Sequence, residues 1–578
     1  MSTLPLSTKR HSLAHLMAHA VQELYPSAQF AIGPDIDNGW YYDIDFGTEK
    51  ISEDDFAKIE KRMKELVKAN MSFSRVEATI KEALEWAKEN NQPYKTEIIN
   101  DLAKEGNTSV SFYTVGKFKD LCRGPHVEHT KDIDTQSFKL HKLAGAYWRG
   151  DEHNKMLTRI YGLAFENKTE LEDYLTMLVE AEKRDHRKLG QQLELFMFHE
   201  TAPGMPYWLP KGLTVYNELV NYWRTEHNKL GYQEISSPLV NKAELWQISG
   251  HWEHYKDDMF IADMGENEVY GIKPMNCPNA MLVFKSKPRS YRELPLRLSD
   301  TDRLHRYERS GTLNGLFRVR SFQQDDSHNF ISEDMIASEY NHIFEVCKNF
   351  YSIFNLEYSF RLGTRPEKFL GEKAVWDKAE SALTDILKKS GKEYIIAEGD
   401  GAFYGPKIDI LMKDCLGRDW QMGTIQLDFQ LPQRFNLEYT SNDGTKKTPV
   451  VVHRVIYGSL ERFIGILIEH LAGEFPVWLS PVQIKLLSVS EGHVDYCLKL
   501  KEELTASGIR VELDTSNETV GKKIREASGE KVPYMLVIGD KEMNSDKLFV
   551  RERGEREAKE WDKQEFIATV IKQNKERN

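Results

Sequence analysis

The sequence predicts a multidomain protein of the α+β class, and three observations support this prediction. The chain has 578 residues, which corresponds to three or four domains at about 100–200 residues each. The N-terminal region combines amphipathic helices with a strand-like run, GWYYDIDFG, and the middle region combines strand-like runs with helices. After residue 480, apolar strand-like runs alternate with helical ones, which indicates a small α/β domain with a mixed sheet.

The composition excludes several classes of protein. Hydrophobic residues make up 40% of the chain and charged residues 29%, and no run approaches the ~20 apolar residues of a membrane span. The N-terminus has no signal-peptide pattern, so we expect a cytoplasmic protein with no membrane partner. The five cysteines are far apart, which argues against a disulfide framework. A net charge of −12 means that any nucleic acid must be held by local basic patches.

The N-terminal region contains two pairs of polar residues at helical spacing. His11 and His15 are four apart in the predicted helix HSLAHLMAHAVQELYP and so share one face, and Cys122 and His126 are four apart in DLCRGPHVEHT. If the pairs converge, they could form a zinc site or a metal-free hydrolytic pocket that positions a water molecule and a substrate. The alternative is that the histidines are ordinary residues of a helix face. Further candidates for this pocket are Lys95 and Asp120.

A densely charged helical segment follows, NKTELEDYLTMLVEAEKRDHRKLGQQLELF, and we interpret it as one long, exposed connecting helix. A Gly/Pro-rich entry then leads to a helix at about 211–230 and to the extended segment GYQEISSPLV.

The segment from His305 to His328 groups arginines around a glycine-containing turn. It reads HRYERSGTLNGLFRVRSFQQDDSH, and its flanks, LRLSDTDRLHRYE and FRVRSFQQDD, are predicted to be the strands of a hairpin. Four arginines would project onto one face, where planar guanidinium groups suit the oxygens of a polyphosphate, and Phe322 could stack on a flat base. The alternative is a salt-bridged surface hairpin. The four are Arg306, Arg309, Arg318 and Arg320.

Three segments resemble the signatures of class II aminoacyl-tRNA synthetases. The helix followed by an extended segment ending in Ser-Pro resembles the first, dimer-forming signature, and the arginine hairpin resembles the second. The third appears as GSLERFIGILIEHL, with Arg462 in the first turns of an apolar helix. Further motifs make the chain similar to threonyl-tRNA synthetases almost from end to end: HSLAH, CRGPH, VEAEKRDHRKLG, SGHWEHY, MNCPN, GAFYGPKIDI, WQMGTIQLDF and HRVIYGSLERF.

This resemblance implies a fold and a domain order. The class II core of the family is an antiparallel sheet flanked by helices, and such cores form homodimers. The expected order is an N-terminal α+β editing domain (1–165), a linker helix (166–195), a class II catalytic domain (196–478) and a C-terminal α/β anticodon-binding domain (479–578). Many relatives carry an additional small N-terminal domain, which we expect to be absent here.

The resemblance also implies one catalytic Zn2+ per subunit. The matching positions are Cys277, His328 and His453, and three protein ligands leave one position open for a substrate. Threonine can bind such a metal through its amino group and its β-hydroxyl group. Valine has nearly the same shape but lacks the hydroxyl group, so a site built to bind that group rejects valine strongly.

The other roles in the catalytic domain follow from the same resemblance. The expected ATP-binding residues, with Mg2+ accompanying ATP, are Arg306, Glu308, Arg318, Phe322, Gln421 and Arg462. The expected L-threonine-binding residues are Gln324, Asp326, Tyr404, Lys407, Thr424 and Gln426. The expected catalytic residues are Arg306, His251, Gln426 and Arg462, with His251 near the terminal ribose of tRNA. The reaction is an in-line displacement at phosphorus, which depends on positioning and electrostatic stabilisation.

The implied activity is ATP-dependent formation of threonyl-adenylate and transfer of threonine to tRNA(Thr). Serine differs from threonine by one methyl group, worth about 1–3 kcal/mol, so the resemblance implies a second, hydrolytic site that edits Ser-tRNA(Thr). The expected editing residues are His11, His15, Lys95, Asp120, Cys122 and His126. The expected anticodon-contacting residues are Asn517, Glu542 and Arg551.

Two stretches depart from the family pattern. Asn279 and Ala280 stand where the family commonly has Gly-His in CPGH, and Asn314 stands where it commonly has His in TLHG. These departures suggest an inhibitor-resistant paralogue with the same charging activity as one alternative. A second alternative is a non-catalytic tRNA- or mRNA-binding regulator on a synthetase scaffold, against which the intact Arg306 and Arg462 argue.

Overall fold

The computed structural model describes residues 4–266 and 268–577, and the chain divides into two compact units at Val179 and Glu180. Within the described ranges, no helix combines the length and the apolar character needed to cross a bilayer. Each unit is described by itself below.

The first unit contains two antiparallel sheets packed with helices. The larger sheet has the strands Gln29–Phe30, Asp35–Ile36, Gly39–Asp45, Phe138–Tyr147 and Met156–Ala164. The smaller sheet has the strands Phe73–Thr79, Ser109–Val115 and Phe118–Leu121. The helices are Leu6–Leu24, Phe56–Lys68, Ile80–Glu89 and Pro93–Lys104. The strand predicted from GWYYDIDFG is Gly39–Asp45, which pairs with Met156–Ala164.

The N-terminal helix Leu6–Leu24 is enclosed over much of its length. Its sequence contains no glycine or proline, which suits an uninterrupted helix. Leu13, Leu16 and Met17 are fully buried in the core of this unit. The same enclosure buries His15 and His19, so the helix places these two histidines in the interior instead of presenting them to solvent.

The connecting segment is two helices, and the prediction of one long helix is wrong. Helix Lys168–Arg184 ends before Asp185, and helix His186–Gln192 follows. Asp185 has non-helical dihedral angles, and its side chain accepts a hydrogen bond from the backbone N–H of Arg187. This is the N-cap arrangement that starts a new helix, and the charge and periodicity of the segment gave no sign of it.

The second unit is built around a nine-stranded sheet that is mostly antiparallel. In spatial order its strands are Gln233–Glu234, Leu296–Asp300, Ser321–Ile331, Val450–Ser459, Asp419–Asp428, Lys407–Lys413, Ser359–Gly363 and Tyr394–Ala397, with Arg303–His305 pairing on Ser321–Ile331. Only the two pairs at the ends of this order are parallel. The principal flanking helices are Pro210–Lys229, Cys277–Lys285, Ile336–Ser352, Lys373–Ser390 and Leu460–His470.

The arginine-rich hairpin has shorter strands and a longer loop than predicted. Arg303–His305 pairs with the start of Ser321–Ile331, so the stretch FRVR is not part of a strand. Residues 306–320, which we call the arginine loop, contain a 3-10 turn at Ser310–Thr312 and a bridge between Asn314 and Arg318. The loop therefore needs contacts from other elements to hold its shape.

The C-terminal part of the second unit has the mixed sheet that the sequence predicts. Its strands, in spatial order, are Val511–Asp514, Ile484–Ser488, Tyr534–Ile538, Lys547–Glu552 and Lys559–Asp562. The first two junctions are parallel and the last two are antiparallel. The helices are Val494–Ala506, Val520–Gly529, Asp540–Met543 and Lys563–Glu576.

Candidate active site

The register of four neighbouring strands brings together the residues of one wall of a cavity in the second unit. His328 lies opposite His453, His453 lies opposite Gln426, and Gln426 lies opposite Lys407. Side chains in such a row across antiparallel strands are direct neighbours on one face of the sheet. The cavity that this row borders has a volume of about 380 Å³. Because of the register, residues far apart in the sequence meet at one wall of the cavity.

Three potential metal ligands meet at this wall. The ligand atoms of Cys277, His328 and His453, which we call the trio, all lie within 4.8 Å of one another, and all three residues are buried. Cys277 is the first residue of helix Cys277–Lys285. Nδ1 of His328 has no hydrogen-bond partner among the described residues. One thiol and two imidazoles, with a buried ring nitrogen left free, form a donor set that fits Zn2+.

The protonation of the trio also fits a cation. Burial raises the pKa of the Cys277 thiol well above its ordinary value, and burial lowers the pKa of His328. A neutral imidazole can ligate a metal, whereas a buried thiolate needs a nearby positive charge to be stable.

A pair of carboxylates lies beside the trio. Asp326 lies opposite Asp300 in the register, and Asn276 Nδ2 donates to Asp326 Oδ2 at 3.3 Å. Burial raises the pKa of Asp326 to about 6, and burial also raises the pKa of Asp300. Oδ1 of Asp300 has no partner within the described part of the chain. This corner can therefore bind a cationic group such as an ammonium ion.

Arg306, Arg318 and Arg462 line the same cavity. Arg462 Nε donates to the carbonyl of Phe317 at 2.8 Å and its NH1 donates to the carbonyl of Gln421 at 2.7 Å. Burial, together with neighbouring Arg306 and Arg318, lowers the pKa of Arg462 to about 10. A site that crowds guanidinium groups in this way suits a polyanion. The other two arginines of the loop, Arg309 and Arg320, do not line the cavity.

The cavity brings together most of the residues predicted for the active site. Those that line it are Cys277, Arg306, Glu308, Arg318, Phe322, Gln324, Asp326, His328, Tyr404, Gln421, Thr424, Gln426, His453 and Arg462. Lys407 lies just outside the lining and pairs with Asp409 at 3.0 Å. His251 is fully buried behind the trio, with Nε2 3.8 Å from Cys277 Sγ, and burial lowers its pKa to about 3.

Sequence reasoning missed several residues that support this cavity. Asp428 Oδ2 accepts from His453 Nε2 at 2.8 Å, and Asp409 Oδ1 accepts from Gln421 Nε2 at 2.8 Å and from Thr424 Oγ1 at 3.0 Å. Alternation gave a signal for Asp428, because it lies two residues after Gln426 on the same strand.

The first unit contains a second cluster, formed by both predicted pairs. Cys122 Sγ lies 3.3 Å from His11 Nε2 and 3.3 Å from His126 Nε2, and the ligand atoms of these two histidines, His15 and Cys122 lie within 4.8 Å of one another. Burial lowers the pKa of all three histidines and raises that of Cys122 to about 11. The four groups are thus neutral near pH 7 and able to hold a water molecule or a metal.

Lys95 and Asp120 adjoin this cluster. Lys95 Nζ lies 2.6 Å from Asp120 Oδ1, and His15 Nε2 lies 3.9 Å from Asp120 Oδ2. Tyr42, which sequence reasoning did not select, donates a hydrogen bond to Asp120 and accepts one from Lys95 at 3.2 Å. Ser12 was also missed, and its hydroxyl lies 3.1 Å from His126 Nδ1.

The three predicted anticodon residues lie on separate elements. Asn517 is exposed in the loop before helix Val520–Gly529, and Arg551 is on strand Lys547–Glu552. Glu542 accepts from the backbone N–H of Gly539 at 3.0 Å and so caps its own short helix. Of the residues described, these three share no hydrogen bond or ion pair, so the structure does not join them into one site.

Three family descriptions match successive parts of the chain. Residues 260–471 match "tRNA synthetase class II core domain (G, H, P, S and T)", and residues 477–573 match "Anticodon binding domain". Residues 110–161 match "Threonyl and Alanyl tRNA synthetase second additional domain".

Curated relatives match nearly the whole chain. The threonine–tRNA ligase of Clostridium acetobutylicum is 50% identical over 99% of this chain and 88% of its own length. The chain belongs to the threonine–tRNA ligases. The threonine–tRNA ligase of Clostridium botulinum strain Okra is 52% identical over 97% of this chain and 87% of its own length.

Solved structures agree with this assignment. The RNA-binding domain of threonyl-tRNA synthetase from Cryptosporidium parvum is 42% identical with a TM-score of 0.65, covering 67% of this chain and 98% of that chain. The prolyl-tRNA synthetase of the same organism is 16% identical with a TM-score of 0.52, covering 68% of this chain and 75% of that chain, and it shows the fold alone.

Membership of this family makes the chain an enzyme with two activities. As a threonine–tRNA ligase it charges tRNA with threonine, and its second additional domain accounts for editing of misacylated tRNA. The predictions of family, fold class and activity are confirmed. The comparisons give no support to a regulator or to a resistant paralogue.

Proposed function

We propose that the cavity of the second unit activates L-threonine with ATP and that the trio selects the amino acid. One observation carries this proposal: buried Cys277, His328 and His453 face the same cavity as three converging arginines. A site of this kind can bind a small polar amino acid at one end and a polyphosphate at the other.

The trio would hold one Zn2+ per subunit, with a position left open for substrate. When bound, the ion would supply ligation of the amino and β-hydroxyl groups of threonine, which valine cannot match. Asp326 would bind the substrate ammonium group, since its carboxylate lies beside the trio and is held by Asn276. The remaining threonine contacts would come from Gln324, Tyr404, Lys407, Thr424 and Gln426.

ATP would bind along the arginine side of the cavity together with Mg2+. Arg306 would hold the α-phosphate and stabilise the charge that develops there as the threonine carboxylate attacks. Arg318 and Arg462 would bind the outer phosphates, and Gln421 would line the same pocket. Phe322 would stack on adenine, since its ring already packs 5.1 Å from the Arg306 guanidinium.

Glu308 would contact the edge of adenine, and this requires a change of partner. Its carboxylate accepts from Arg318 Nε at 2.9 Å. Arrival of a polyphosphate would draw Arg318 toward its own negative charge and free Glu308 for the base. Transfer of threonine to tRNA would use Gln426 and His251, and burial of His251 against Cys277 supports a role next to the amino acid.

The cluster of the first unit would hydrolyse Ser-tRNA(Thr). His11, His15, Cys122 and His126 would position a water molecule against the ester carbonyl, and the Lys95–Asp120 pair would orient the substrate. The low basicity of the buried histidines supports a positioning role, and a metal at these four groups is the competing proposal that elemental analysis would reveal.

Four further assignments complete the proposal. Domain boundaries at 1–165, 166–195, 196–478 and 479–578 are supported by the matched family ranges. Anticodon contacts are assigned to Asn517, Glu542 and Arg551. A homodimer is supported by exposed apolar side chains at Met197, Phe198, Tyr207 and Leu213, next to or on helix Pro210–Lys229. The fourth assignment is a cytoplasmic location.

Pyrophosphate exchange tests the proposed site. Cys277→Ala should lose both the metal and threonine-dependent ATP–pyrophosphate exchange, as measured by elemental analysis and isotope exchange on the same preparation. The free cysteine Cys497, buried on helix Val494–Ala506 of the C-terminal part, provides a matched control, since Cys497→Ala should retain both. A metal-free preparation that activates threonine at the full rate would refute the assignment. Sedimentation would test the homodimer.

A further inference from the structure

A buried histidine links the start of the second unit to the arginine loop. His186 and Glu469 are both almost fully buried, and His186 Nδ1 lies 2.8 Å from Glu469 Oε1. On the other side of the ring, the backbone N–H of Leu316 donates to His186 Nε2 at 3.0 Å. Leu316 belongs to the arginine loop, so a single imidazole joins helix Leu460–His470 to that loop.

These two contacts fix the protonation of the ring. Leu316 N–H can only donate, so Nε2 of His186 must carry a lone pair. Nδ1 then carries the proton and donates a hydrogen bond to the Glu469 carboxylate. The same carboxylate accepts a hydrogen bond from Cys415 Sγ at 3.0 Å. The neutral tautomer with the proton on Nδ1 is the state that satisfies both neighbours.

The loop is packed against the ring as well as bonded to it. The rings of His186 and Phe317 lie 4.2 Å apart. Gly315 has a φ of +49°, and a Cβ atom there would lie 2.3 Å from His186 Nε2. A glycine is therefore needed at this position, because the imidazole occupies the space that a side chain would fill.

Helix Leu460–His470 holds the arginine loop at two places. Arg462 Nε donates to the carbonyl of Phe317 at 2.8 Å, and Glu469 reaches Leu316 through His186. Residues seven apart lie on one face of a helix, so both contacts act on the same side. The Leu316–Phe317 backbone is thus held next to Arg318, which follows it and lines the cavity.

A metal site at this place is a weaker interpretation. Asp185, His186 and Glu469 offer ligand atoms within 4.8 Å of one another. However, the Asp185 carboxylate accepts from Arg187 N at 2.8 Å and from Arg187 Nε at 3.0 Å, and both ring nitrogens of His186 are already bonded. These potential metal ligands already form hydrogen bonds within the protein.

We propose that His186 is a positioning residue for ATP: by accepting from Leu316 it fixes the arginine loop so that Arg318 and Arg462 meet the phosphates. The inference rests on the proposed ATP site. It assigns to the short helix His186–Gln192 a role in catalysis, although that helix touches neither ATP nor threonine in the proposed site.

Substitution of His186 by asparagine or by glutamine tests separately the ring's contacts with Glu469 and with Leu316. An asparagine amide reaches the position of Nδ1 and can still donate to Glu469, whereas a glutamine amide oxygen reaches the position of Nε2 and can still accept from Leu316. In ATP–pyrophosphate exchange, His186→Asn should raise KM for ATP by about tenfold, the effect of one lost hydrogen bond. KM for threonine should stay unchanged, and His186→Gln should restore most of the ATP effect.

Controls separate positioning from a loss of folding. Cys415→Ala removes the Cys415 side chain, which also donates to Glu469, without touching the ring, and its KM for ATP should match that of the unsubstituted enzyme. Hydrolysis of Ser-tRNA(Thr) should be the same in all variants. If His186→Asn does not fold, Gly315→Ala replaces it, because its methyl group presses on the same ring from the loop side.

Three outcomes would overturn the proposal. These are an unchanged KM for ATP in His186→Asn, an equal rise in KM for ATP and for threonine, or no recovery in His186→Gln. Failure of the ATP site itself would be seen separately, because Arg306→Ala would then retain pyrophosphate exchange in an otherwise unsubstituted enzyme.

Discussion

Asp428 accepts a 2.8 Å hydrogen bond from Nε2 of His453, and this bond decides which nitrogen of His453 is left for a metal. Because the carboxylate can only accept, Nε2 carries the proton and Nδ1 keeps its lone pair. Asp428 is itself held in place, since its Oδ1 accepts from the backbone N–H groups of Gln430 at 2.7 Å and Leu431 at 3.0 Å.

Loss of this support should weaken metal binding. Asp428→Asn should lower the affinity for Zn2+ by about 10- to 100-fold, the usual effect of removing such a partner of a ligating histidine. Competition with a chelator, followed by elemental analysis, measures it. The exposed Asp546 provides the control, since Asp546→Asn should bind zinc normally. Equal zinc retention by Asp428→Asn and the unsubstituted enzyme would contradict the role given to Asp428.

Arg306 is expected to be essential for adenylate formation and dispensable for folding. Arg306→Ala should abolish threonine-dependent pyrophosphate exchange, because the guanidinium group serves a charge that appears only with substrate. Arg306→Lys should also be poor, since an ammonium group cannot reproduce the planar fork. Exposed Arg292, whose Nε donates to its neighbour Tyr291 at 3.3 Å, is the control. Near-normal exchange in both Arg306 variants would rule this role out.

Editing should depend on the cluster of the first unit. The double substitution His11→Ala with His15→Ala should leave threonine activation largely intact and let Ser-tRNA(Thr) accumulate, because the groups that position the hydrolytic water are gone. Hydrolysis of preformed Ser-tRNA(Thr) measures this, and the exposed His153 is the control for substitution of a histidine in the same unit. If the double variant hydrolyses Ser-tRNA(Thr) as fast as the unsubstituted enzyme, the editing site lies elsewhere.

Glu461 should make stability depend on pH. Its buried carboxylate accepts from Gln323 N at 3.0 Å, and burial raises its pKa from 4.5 to about 7. The folded state therefore binds this proton more tightly than the unfolded state. The resulting stability is present below pH 4.5 and is lost as the pH rises through 7, a change of about 3 kcal/mol.

Replacing the carboxyl group isolates this effect. Glu461→Gln should flatten the fall in melting temperature between pH 5 and pH 8, whereas the same change at exposed Glu438 should leave it unaltered. Asp325, whose pKa burial also raises to about 7, remains in both proteins and cancels in the comparison. Parallel pH profiles for Glu461→Gln and the unsubstituted enzyme would show that Glu461 is ionised throughout.

Most of the residues selected from the sequence meet in one cavity, whereas parts of the local structure around them were not predicted. His328 and His453 could be selected only through the resemblance, because spacing alone does not reveal that their strands lie side by side. Asp428 was missed because its role depends on that same register. The break at Asp185 was missed because charge and periodicity run on without change, whereas the reason for the break is tertiary: His186 turns inward to Glu469.

The arginine loop is another region whose local structure could not be predicted from the sequence. Its glycines correctly indicated a turn, but a hairpin with long strands was expected. Phosphate binding by its arginines stays a prediction. The strand starts only at Ser321. Before it, Leu316 is bonded to the side chain of His186 in another element, and Arg318 is bonded to Glu308 within the loop, instead of to a partner strand. Contacts of this kind have no local sequence pattern.

Discrimination between threonine, serine and valine in ATP–pyrophosphate exchange tests the central claim most directly. If the trio selects threonine through its hydroxyl group, serine should be activated readily and valine should be rejected by about 10⁴-fold or more in kcat/KM. A site that recognised threonine by apolar shape alone would reject valine by only about 100-fold. Valine activation with a kcat/KM only about 100-fold below that of threonine would contradict the account.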